Sequence, residues 1–262
     1  MKIQLLPVLL ISTALSACGQ EPPAKVVATD IKAPNSIETT VVVDRSEAFL
    51  EMAEAHAALF LKNAPELSTS LGMSEETSGV GYLSRLGGYG FDAHQNARDL
   101  NQTFLTDLRG FDRASLQGTA AITYDVLKNA YETAELRNSF DFGGATPFGG
   151  SLPNSGNAWA VTPYMVTQLT GPHLYLPRML QTEHPITSRK DVDAFLARLE
   201  SFDRVFSEIV ETLGADAATG VIPPGFAIDG VLASIEGLTS PAPEDHPIIT
   251  CLLYTSPSPR DS

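Results

Sequence analysis

Residues 188–214 read SRKDVDAFLARLESFDRVFSEIVETLG. Val192, Phe195, Leu196, Leu199, Phe202, Phe206, Ile209, Val210 and Leu213 recur at three-and-four spacing, which places them on one stripe of an α-helix. Ser188 followed by Asp191 opens such a helix, because each side chain can accept from a backbone N–H that the first turn leaves unpaired. Gly214 closes it. One helix over 188–214 sets the class of the chain as mainly α.

Outward from that segment the same period recurs. A first helix is expected from about Ser46 to Asn63 on Phe49, Met52, Ala53, Leu59 and Phe60, with Glu47 in its first turn and Pro65 after its end. His56 shares that stripe, as a core or boundary histidine rather than a ligand. Residues 66–72 read as a turn-like link. A second helix starts near Asp92 as N-cap and buries Ala97, Leu100, Phe104, Leu108 and Phe111. After a turn at 112–116, a third is carried by Leu116, Ile122, Val126, Leu127, Ala130, Tyr131 and Ala134. Gly, Pro and aromatic residues then break all periodicity over 138–161, either as a lid, wall or binding loop or as a loop packing on the helices beneath. Thr162-Pro163 suits a helix start, and Gly171-Pro172 divides the run to Leu180 into two short helical pieces. A Pro-Pro-Gly loop over 221–229 precedes a last amphipathic piece ending near Leu238. No period of 20 to 50 residues recurs, so the reading is an irregular multi-helix array and not a solenoid.

The 262 residues are 43% hydrophobic and 18% charged, a globular composition and not a disordered, collagen-like or multi-spanning one. Both ends read as extraneous to the fold. Lys2, the apolar run Ile3–Ile11 and Leu15-Ser16-Ala17-Cys18 form a secretory leader over 1–17 that matches the bacterial lipobox. That resemblance implies cleavage before Cys18 and acylation of Cys18; acyl chains at about 0.8 kcal/mol per buried methylene anchor a protein durably. The plainer alternative is an ordinary signal peptide with an incidental cysteine. Gly19 in place of Asp favours the periplasmic side of the outer membrane. Residues 18–45, rich in Pro, Ala, Thr and Val, read as a flexible tether. At the other end, Cys251 to Asp261 can be spelled by a nucleotide string like the transposon-end adapter of short-read libraries. Residues 250–262 are therefore expected to be an adapter translation, with a Ser/Pro-rich tail as the alternative. With Lys2, Arg260 and Asp261 set aside, 15 basic and 30 acidic residues remain. That surface repels nucleic acid and anionic lipid.

The chemistry inventory is short. No His-Glu-x-x-His, Gly-x-Ser-x-Gly, P-loop, dinucleotide or calcium-loop pattern occurs. His173, Glu183 and His184 are the one ionisable cluster worth naming, beside Pro residues where a histidine more often caps carbonyls or faces solvent. Asp191 and Asp193 are two apart on a helix and point away from each other.

Pro163–Pro185, PYMVTQLTGPHLYLPRMLQTEHP, resembles the characteristic run of a bacterial family, the domain of unknown function 885. Residues 65–72 (PELSTSLG), 123–127 (TYDVL) and 220–229 (GVIPPGFAID) match it in order, so the likeness covers most of residues 46–235. The resemblance implies a long, mostly helical, often lipid-anchored protein whose C-terminal half carries a His-Glu-x-x-x-Gly-His-His-like helix. It thus implies a parent that is a zinc-metallopeptidase-like hydrolase acting on peptides outside the cytoplasm. Residues 46–249 would be its N-terminal helical half, without catalytic residues or metal ligands, the zinc being held farther on. Tyr164, Gln168 and His173 are the candidate substrate-facing residues, the first two four apart and so on one helix face; packing polar groups is the plainer reading. The alternative function is a non-enzymatic α-helical envelope lipoprotein with a binding or scaffold role.

Overall fold

The computed structural model describes residues 43–143 and 164–250. The leader, Cys18 and the tether as far as residue 42, residues 144–163 of the Gly/Pro/aromatic segment, and residues 251–262 lie outside the described residues. Among the described residues there are nine α-helices and no strands: α1 Ser46–Asn63, α2 Pro65–Ser70, α3 Glu75–Ser78, α4 Phe91–Arg109, α5 Gly118–Asn138, α6 Pro172–Thr182, α7 Arg189–Glu200, α8 Phe202–Ala218 and α9 Gly225–Thr239. The mainly α class is as the sequence indicates. No helix among them is long and apolar enough to cross a membrane.

Two apolar clusters organise the chain. In the first, α1, α4 and α5 converge on Phe49, Phe104, Leu105, Leu108, Ala120 and Tyr131. The helices α4 and α5 run antiparallel: Asn101 Nδ2 donates to Tyr131 O at 3.2 Å, and Arg98 Nε to Asn138 O at 3.4 Å. Phe49 meets the Phe111 ring edge-on at 5.3 Å, a geometry that suits the aromatic quadrupole. In the second cluster Met165, Leu176, Met179, Leu180, Phe195, Val205 and Ile209 pack α6, α7 and α8 together. Burying each such side chain is worth roughly 1.5–3 kcal/mol.

The structure corrects several sequence expectations. The helix expected over 188–214 is two helices. Ser201 sits between them with ψ −9°, and its Oγ donates to Ala197 O at 2.8 Å, a back-bond that bends a helix. Leu196 and Val210 consequently face solvent. The expected link at 66–72 is largely the helix α2, because Pro65 both follows α1 and occupies the first position of α2, where its fixed φ is already helical. Ser68 Oγ then donates to Leu61 O, capping the end of α1. Gly90, not Asp92, precedes α4.

On α5 the inward row is buried Ala120, Tyr131, Ala134 and Asn138 with half-buried Tyr124 and Leu127, spaced by alternating fours and threes, while Ile122 and Val126 are exposed. Both faces carry apolar residues, so periodicity alone did not select the right one. The last helix begins at Gly225, inside the expected Pro-Pro-Gly loop.

Candidate functional site

The structure gathers residues of two of the family-like runs, 65–72 and 163–185, around one buried cation, Arg198. The capping box fixes where α7 starts: Ser188 Oγ accepts from Asp191 N, and the Asp191 carboxylate accepts from Ser188 N at 2.9 Å. Ten residues on, Arg198 points inward and is fully buried. Its guanidinium donates in several directions. Nε reaches Arg85 O at 2.9 Å; Nη2 reaches Thr69 Oγ1 at 2.7 Å, Pro65 O at 3.2 Å and Tyr82 O at 3.2 Å. Nη1 faces His184 Nδ1 at 3.1 Å and Met179 Sδ at 3.4 Å. One planar fork thus ties α7 to α2, to α6 and to the 3-10 turn Tyr82–Ser84. Burial pulls the Arg198 pKa down to about 10, opposed by the nearby Glu66, Tyr175 and Tyr82, so it remains a cation at neutral pH.

The shell around the guanidinium is equally directional. Arg198 Nη1 is a donor, so His184 Nδ1 must accept, and His184 Nε2–H donates to Asp191 O at 3.0 Å. His184 is held neutral mainly by burial, which lowers its pKa, with the adjacent Arg198 cation acting the same way. Glu66 is buried and its Oε1 accepts from Gly87 N at 2.8 Å. Ser70 Oγ meets Glu183 Oε2 and lies 3.3 Å from Tyr175 OH, and burial pushes the Tyr175 phenol up to about 12. Glu183 also accepts from Arg178 Nη2 at 3.4 Å. The His173/Glu183/His184 cluster seen in the sequence is therefore divided: Glu183 and His184 belong to this clamp.

His173 stands apart. It lies in the first turn of α6 behind Gly171, which adopts φ +137°. A Cβ at position 171 would come within 2.9 Å of His173 Nδ1 and 3.1 Å of Met165 O, so the close approach needs glycine. His173 is buried and its pKa is lowered by burial. Neither ring nitrogen has a hydrogen-bond partner among the described residues. Pro177, inside α6, has no N–H to offer the His173 carbonyl four residues back.

Tyr164 is half-buried and Gln168 exposed, and the helix expected to put them on one face does not form over 164–170. Instead, Thr167 Oγ1 accepts from Leu169 N and Thr170 N, and Thr167 N donates to Thr170 O at 2.8 Å, a side-chain turn that competes with helix formation. The Gln168 side chain lies over Gly230 of α9.

The other buried histidine on the expected helix stripes, His56, is a core residue as anticipated. Its ring stacks on Phe104 at 4.2 Å, between Tyr131 OH at 3.0 Å from Nδ1 and Asp107 Oδ2 at 3.2 Å from Nε2. Burial lowers its pKa, partly offset by Asp107. His246 is engaged at Leu238 O. Among the described residues no group of three His, Cys, Asp or Glu side chains could hold a metal ion. The zinc that the family likeness implies has no fitting ligand set there.

Sequence reasoning missed Arg198, Glu66 and Tyr82. The one available signal was an arginine three residues after Phe195, inside an otherwise apolar stripe.

The fold and this clamp define an all-α helical array whose motif residues hold helices together around a buried guanidinium. The chain belongs to the family described as "Bacterial protein of unknown function (DUF885)", whose model matches residues 65–258 and so extends beyond Ile249. Among solved structures it is similar to one described as "putative lipoprotein from Colwellia psychrerythraea", with TM-score 0.63 and 22% identity. The likeness covers 80% of this chain and 34% of that one, so the chain spans about a third of its solved neighbour's length. No curated protein matches.

Proposed function

We propose that this chain is the N-terminal, non-catalytic portion of an envelope-anchored, zinc-dependent peptidase that acts on peptides outside the cytoplasm. Anchoring is through acylated Cys18 to the periplasmic side of the outer membrane. The observation that carries the reading is the use made of the family-like runs: Thr69 and His184 are bonded to Arg198, Tyr175 and Glu183 both meet Ser70, and Glu66 accepts from Gly87 N. Side chains committed in this way build a rigid wall; they are not poised for proton transfer or metal binding. Membership of the family and the short span relative to the solved neighbour support placing the chemistry elsewhere in a longer protein. In that protein the zinc would be bound by histidines one helical turn apart, with a glutamate to activate its water.

Within this portion His173 is the candidate substrate-facing group. A neutral imidazole with both nitrogens unengaged has one donor and one acceptor to offer a peptide backbone. Tyr164 and Gln168 are secondary candidates. The test is to amplify the source locus across the Ile249 codon. A frame that continues into a His-Glu motif with further histidine or glutamate ligands supports the reading. A stop codon within a few residues would replace it with a helical envelope lipoprotein that binds or scaffolds and does no chemistry.

A further inference from the structure

Helix α9 is apolar on two sides. Its inner side contributes buried Ala227 and half-buried Val231 and Leu238, the last two packed on the second cluster. Its outer side presents Ile228, Leu232 and Ile235, at 38%, 59% and 39% exposure. These are spaced by four and three residues, the row by which one helix seats another. Exposed apolar surface of this kind marks an interaction site where it is contiguous.

We infer that the outer row of α9 is an internal interface, covered by a helix from the part of the longer polypeptide that this chain does not span. The inference rests on the proposed function, because it requires that longer polypeptide. Three observations select this occupant. The chain accounts for 34% of the solved neighbour's length, so a protein of that length has ample further chain to cover the row. A second copy is opposed by charge, since each chain carries a net −14 and Asp229 and Glu236 lie on α9 itself. An anionic bilayer is opposed in the same way: α9 has no Lys or Arg to meet lipid headgroups.

Cys18 carries no free thiol once acylated, so labelling is site-specific when every other native cysteine, Cys251 in the 262-residue chain, is replaced by serine. Leu232→Cys is placed in such a background in the 262-residue chain and in the longer polypeptide recovered from the locus. Each is labelled with a maleimide, its rate normalised to the same protein in urea. The expected result is fast labelling in the short chain and labelling at least tenfold slower in the longer one. Equal rates in the two would overturn the inference while leaving the longer protein in place. Protection already present in the short chain, together with a dimer by sedimentation, would overturn it in favour of a second copy. Absence of any longer frame would instead defeat the functional reading on which it rests. Hydrogen exchange of the α9 amides in the unsubstituted chains gives the same comparison if Leu232→Cys misfolds.

Discussion

Replacing Arg198 by methionine should unlock the junction between the two halves of the described fold. Methionine matches the stem in length but has no donor. Two of the acceptors, Tyr82 O and Pro65 O, keep other partners, Arg85 N and Thr69 Oγ1. Arg85 O and His184 Nδ1 accept from Arg198, at 2.9 Å and 3.1 Å, and lose that donor. A buried acceptor left unsatisfied costs roughly 1–3 kcal/mol, so the pair costs about 4 kcal/mol. Relief of the buried guanidinium's desolvation offsets part of this, leaving about 3 kcal/mol. With a urea m-value of roughly 2 kcal/mol/M, the midpoint followed by circular dichroism falls by about 1.5 M. Arg198→Lys should recover little, because an ammonium cannot present the planar fork. Arg189→Met, which breaks an exposed pair with Asp193 at 3.0 Å, should change stability by less than about 0.5 kcal/mol. An Arg198→Met midpoint indistinguishable from that control would refute the clamp as the organising feature.

Three further outcomes follow from the buried histidines and the glycine beside one of them. Tyr131→Phe removes the hydroxyl that meets His56 Nδ1 and should cost about 1–2 kcal/mol in urea melts, with the fold retained. Gly171→Ala places a methyl against His173 and Met165 O at φ +137° and should cost roughly 1–3 kcal/mol by the same assay. Burial lowers the pKa of His56, His173 and His184, so each stays neutral in the fold while the unfolded chain takes up protons first. Their stabilisation is intact above the usual histidine pKa of about 6.5 and is lost as pH falls toward the folded values. The urea midpoint should therefore drop between pH 7.5 and 5.5. Asp216 has the opposite sign: burial raises its pKa, so its contribution is present at low pH and lost as pH rises through the raised value.

The class of fold was legible in the sequence because helical periodicity and caps are local. The Ser188–Asp191 box and the bounds of α1 stand where the residues placed them. What was illegible depended on competition between local options. Thr167 draws the backbone into its own turn, so the four-residue spacing of Tyr164 and Gln168 had no helix to act on. On α5, Ile122 and Val126 are as apolar as the residues that are buried, and only packing against α1 and α4 decides between the faces. Arg198 was hidden for a different reason. Its acceptors come from residues 65, 69, 82, 85 and 184, and no local pattern announces a cation whose partners lie so far apart.

As the proposed non-catalytic wall of a longer zinc peptidase, this helical array should cleave no peptide by itself. The decisive measurement is hydrolysis of a mixed peptide substrate in the presence of zinc, made side by side for the 262-residue chain and the longer polypeptide. Cleavage by the longer polypeptide alone, abolished by a chelator, is the predicted result. Cleavage by the 262-residue chain, or by neither at matched concentration, would contradict it.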